Sequence, residues 1–106
     1  MITDNFATNI LAKKIATIRE IRNSVEYDRL ILAVLVKYRP MFIKVLDSMV
    51  SQLGTKSQPC AVNFQFTHNI SPKQENDYSE IEILYPSEYI GLINQCIDNA
   101  VKMAKL

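Results

Sequence analysis

The sequence is short of the residues from which most active sites are built. One histidine, His68, and two cysteines, Cys60 and Cys96, are its whole stock of imidazole and thiol groups. Cys60 and His68 share parity on a predicted strand, but eight extended residues hold them roughly 26 Å apart, too far for a common metal. The cysteines show no CxxC or other ligand spacing, so they read as reduced thiols of a cytoplasmic protein, with one disulfide between them as the alternative. Cys96 on a predicted apolar helix face can approach His68 across a core, and this is the one nucleophile–base pairing that spacing leaves open. A buried free cysteine ordinarily serves as a small hydrophobe. Two glycines, Gly54 and Gly91, cannot make a phosphate-cradling loop. No apolar run approaches the roughly 18 to 20 residues of a membrane helix. Met1 to Asn9 lack the basic-then-apolar order of a secretory signal. A formal net charge of +1 argues against a protein devoted to neutralising phosphates. The expectation is a single domain over residues 1–106 that is not an enzyme and holds no cofactor or metal.

What the chain does have is apolar pattern. Leu30 to Val36 is an unbroken apolar run. Such a run suits a fully buried helix or a fully buried strand. Leu and Ala outnumber the β-branched residues, and Asn23-Ser24-Val25-Glu26 offers a capping box, so a helix is predicted from there to Tyr38. It follows a first helix over Asp4 to Arg22, in which Phe6, Ala7, Ile10, Leu11, Ile15, Ile18 and Ile21 fall on one half of the wheel. Arg39 precedes Pro40, which breaks the chain and starts a third helix. Its apolar stripe is Met41, Phe42, Val45, Leu46, Met49, Val50 and Leu53, with Gly54 placed as a left-handed cap.

After the polar loop 54–59 come two strands. Val62, Phe64 and Phe66 alternate with Asn63, Gln65 and Thr67 over Ala61 to His68, and Ile81, Ile83 and Tyr85 alternate with Glu80 and Glu82 over Ser79 to Tyr85. The polar connection 69–78, with Pro72, reads as an exposed tip. Pro86 and Ser87 open a last helix to about Ala104. No internal repeat is evident. The predicted fold class is α+β: three N-terminal helices, a two-stranded antiparallel hairpin and a C-terminal helix. Glu80 and Glu82, with Glu75 and Asp77 nearby, read as the solvated side of a one-sided sheet. Charge is uneven, with nine bases against five acids through Lys56 and three against six beyond it. This fits ionic complementarity within the fold first, and docking onto a partner second.

Three helices followed by a hairpin resemble the winged-helix arrangement from Asp4 to Tyr85, by element order and not by motif. The resemblance implies a DNA-reading face of Lys44, Ser48, Ser51 and Gln52, with Asp47 among them, and Lys73 at the wing tip. Asp47 and the acidic wing, with Glu75, Asp77, Glu80 and Glu82, oppose contact with phosphates. The leading expectation is therefore an adaptor or inhibitor that binds another protein, as a homodimer. A two-stranded hairpin has two unpaired edges, and Leu84, Leu92 and Met103 are surplus apolar residues near it. A DNA-binding regulator is the alternative.

Overall fold

The computed structural model describes residues 12–64 and 77–105. They form β1 (Ala12–Arg22), β2 (Val25–Leu35), α1 (Arg39–Leu53), β3 (Ala61–Asn63), β4 (Tyr78–Pro86) and α2 (Ile90–Ala104). The strands make one antiparallel sheet in the order β1-β2-β4-β3. The protein is thus α+β, but two helices on a four-stranded sheet replace the expected three helices, hairpin and helix. The winged-helix order falls with them. No helix among the described residues is long and apolar enough to cross a membrane.

The apolar run is the core of β2, not of a helix. Leu30, Leu32 and Val34 face the helices, while Ala33 and Leu35 are buried away from that core. A central strand buried on both faces has the same unbroken apolar signature as a buried helix. Asn23 and Ser24 settle which of the two forms. They take φ of 50° and 64°, the paired left-handed conformations of a two-residue hairpin turn whose twist matches the flanking strands. The supposed helix cap is the turn that folds β2 back along β1. Residues 12–22, expected to be helical, are therefore strand; residues 4–11 of that helix lie outside the described residues.

The helical and strand expectations hold better downstream. Pro40 sits in the first turn of α1, where its missing N–H costs nothing. Gly54 ends that helix in an extended conformation, with φ −77° and ψ 159°, not as a left-handed cap. Its lack of a side chain serves close approach, because a Cβ there would lie 2.4 Å from the Cys60 backbone nitrogen. β3 and β4 pair antiparallel as expected, although β3 ends at Asn63, with Phe64 already outside the strand, and 65–68 and 69–76 lie outside the described residues.

The chain is built as two similar units. A shift of 51 positions carries Leu35 (φ −59°, ψ 132°) onto Pro86 (φ −57°, ψ 134°), each opening a three-residue 3-10 turn. The same shift carries Arg39–Leu53 onto Ile90–Ala104. In the central pair Ile31 lies opposite Glu82, its own counterpart, so an approximate two-fold runs through the sheet between β2 and β4. Only the pairs Tyr27/Tyr78, Tyr38/Tyr89, Asp47/Asp98 and Val50/Val101 are identical, which explains why no repeat is evident in the sequence. Both helices lie on one face of the sheet. There Phe42, Leu46 and Val50 of α1 and Ile93, Ile97 and Ala100 of α2 enclose Leu30, Leu32, Ile81 and Ile83.

Candidate functional site

The residues singled out beforehand do not converge. Leu92 and Met103 are exposed on α2, eleven residues apart and so on one side of the helix. Leu84 is half-buried on the opposite face of the sheet, across from Arg29 and Ala61. β4, whose outer edge was expected to be open, is paired on both sides. Lys44, Ser48, Ser51 and Gln52 are on α1, with Lys44, Ser48, Ser51 and Gln52 exposed. With two helices and a four-stranded sheet, there is no third helix among the described residues to present them to a groove. Lys73 and His68 lie outside the described residues. Cys60 and Cys96 are free and buried in the same core, where burial pushes both thiols up and keeps them protonated. Among the described residues no cluster of three or more metal-ligating side chains forms. Glu82 is not solvated: it is buried and accepts from Arg29 Nη2 at 2.6 Å and Nε at 3.0 Å. That pair joins a base of the first half to an acid of the second, the internal complementarity that the uneven charge suggested.

Two features sequence reasoning missed lie side by side on β1. The first is its outer edge. β1 pairs only with β2, so among the described residues its far edge has no strand beside it. Lys14 lies opposite Leu32 and Ala16 opposite Ile31, which makes Ile15 an extra, bulged residue. From Ala16 to Arg22 the ladder is regular. Ile15, Ile18 and Ile21 are 48%, 45% and 75% exposed, an unusual amount of aliphatic surface for a long edge.

The second feature is a cleft of about 290 Å³ between β1 and the start of α2, lined by Lys14, Thr17, Arg19, Asp28, Leu30, Tyr85 and Ile90. Strand register assembles it: Arg19 stands opposite Asp28, and Asp28 opposite Tyr85, in one row across three strands. Asp28 is 3% exposed and answered on two sides. Arg19 Nε donates to it at 2.9 Å and Ser87 Oγ at 2.8 Å. Burial pushes the Asp28 carboxyl up, but these two hydrogen bonds and the Arg19 charge outweigh it and hold the carboxyl below the ordinary aspartate range. Tyr85 is fully buried, and its hydroxyl lies beside Asp28 without reaching hydrogen-bond geometry to any described group. Burial, then the Asp28 charge, raise its phenol well above the usual value, so it stays a protonated donor. The signal for this row was in the sequence. Once Asn23-Ser24 is read as a two-residue turn, Arg19 and Asp28 fall opposite each other by counting.

No protein-family model matches the chain, and no curated protein or solved structure was found to match it.

Proposed function

We propose that this is a non-enzymatic protein-binding module whose docking element is the outer edge of β1, which receives an extended segment of a partner as an added strand. The observation that carries the reading is the regular edge from Ala16 to Arg22, unpaired among the described residues and flanked by exposed Ile15, Ile18 and Ile21. An added strand satisfies the edge's backbone donors and acceptors, and alternate side chains supply selectivity. The bulge at Ile15 and the charged Arg19, Glu20 and Arg22 guard the edge against indiscriminate pairing, as edges of monomeric sheets commonly are guarded. Two buried free thiols, Cys60 and Cys96, favour the reducing cytoplasm as its setting.

Amide hydrogen exchange tests this. With a panel of seven-residue, strand-forming peptides, binding is expected to slow exchange across residues 16–22, and Ile18→Lys with Ile21→Lys is expected to abolish the protection while leaving the circular dichroism spectrum unchanged. Peptides that protect only the exposed side of α2 around Leu92 and Met103, or a panel in which none protects 16–22, would overturn it.

A further inference from the structure

Resting on strand addition at β1, we infer that the guest strand belongs to a different protein and carries an acidic side chain that enters the cleft beside Lys14. The bulge argues against a second copy as guest. It places Lys14 on the helix side of the sheet, with Leu32, and Ala16 on the other side, with Ile31. In a two-fold pairing of β1 with itself, side chains on either side of the bulge fall out of step, because a one-residue slip reverses every facing. Only Ala16 to Arg22 remain for self-pairing, and centring that stretch on Arg19 sets two guanidinium groups face to face. A foreign strand has no such constraint.

The chemistry of the cleft selects the guest. Its charged groups are Lys14, Arg19 and Asp28, with Glu26 3.6 Å from Arg19 Nε. Arg19 is shared between Asp28 and Glu26, one base against two acids. Lys14 is exposed and has no acid against it among the described residues. It is the charged group of the cleft left without a partner among the described residues. Leu30 and Ile90 offer an aliphatic wall, and the Tyr85 hydroxyl is a buried donor without an acceptor in hydrogen-bond geometry. An aliphatic stem ending in a carboxylate matches this set: the stem meets Leu30 and Ile90, and the oxygens face Lys14 and Thr17. Glutamate on an extended strand has that shape. A lysine there would meet Lys14, and an apolar side chain would leave Lys14 unpaired.

The experiment uses the full chain and three synthetic peptides: an extended peptide alternating valine and glutamate, the same peptide with glutamine for glutamate, and a proline-interrupted version that cannot form a strand. Fluorescence anisotropy at low salt should show the glutamate peptide binding about fivefold tighter than the glutamine peptide, the size expected of an exposed charge pair. Lys14→Glu should reverse that preference, and the proline peptide should not bind. Equal binding of the glutamate and glutamine peptides, unchanged by Lys14→Glu, would overturn the acidic-guest inference and leave strand addition standing. Failure of both strand-forming peptides would overturn strand addition itself. Sedimentation showing a dimer that Ile18→Lys dissociates would make a second copy the guest and overturn the inference from the other side.

Discussion

At position 28 the first unit carries an aspartate, and at the matching position 79 the second carries a serine. Asp28 is bonded to Arg19 and Ser87, whereas the buried Ser79 hydroxyl has no hydrogen-bond partner among the described residues. The same contrast runs through the units. β1 is eleven residues long and carries exposed isoleucines, while β3 is three residues, its Asn63 opposite Glu82. On the helices Ile43 is matched by Asn94, which is buried with neither amide atom bonded, and Pro40 by Gly91. Both units supply a similar share of one core, but among the described residues only the first builds a polar row and a long free edge. Similar scaffolds can thus differ in function where a few positions swap core for charge.

The shared core is the first part of this comparison to break. Phe42→Ala should cost about 3 to 5 kcal/mol and Ile93→Ala, at the matching position, about 2 to 5 kcal/mol, since both side chains are fully enclosed. Denaturant titration should show each loss in a single transition. Two separate transitions would show that the units do not fold as one.

Asp28→Asn comes next, with an expected loss of about 2 to 3 kcal/mol at neutral pH from a buried, charge-assisted pair. The carboxyl is held below its unfolded value in the native state. Its contribution is therefore complete above the ordinary aspartate pKa of about 3.9 and is lost as pH falls through the lower native value. The gap between wild type and Asp28→Asn should close in acid. A gap that stays constant from neutral to acid pH would show that the Arg19–Asp28–Ser87 network does not hold the charge.

Making the second helix resemble the first sharpens the comparison. Asn94→Ile removes two unbonded buried polar atoms and is expected to raise stability by about 1 kcal/mol, read as a higher denaturation midpoint. The smallest effects separate the two glycines. Gly54→Ala should destabilise, because its methyl group meets the backbone of Cys60. Gly91→Ala has open space in the first turn of α2 and should stabilise by about 0.5 to 1 kcal/mol. A thermal shift of the same sign for both would contradict the close approach at Gly54.

From Arg39 onward the sequence alone determined most of the local structure. Pro40 opens α1, its apolar stripe ends at Leu53, Ile81, Ile83 and Tyr85 face inward on a strand, and Pro86-Ser87 lead into α2. At these places local preference and periodicity agree. They disagreed over residues 12–35. The threefold spacing of Ile15, Ile18 and Ile21 mimics a helical stripe, and Leu30 to Leu35 reads as apolar on every side because Ala33 and Leu35 are buried along with Leu30, Leu32 and Val34. Only the tertiary structure decided that segment, because a strand's fate rests on partners distant in sequence, here β4, whose Ile81 and Ile83 lie opposite Leu32 and Leu30. The same pairing placed Asp28 in line with Arg19 and Tyr85 and left β1 at the rim of the sheet. The cleft and the free edge are consequences of strand order, which local preference does not encode.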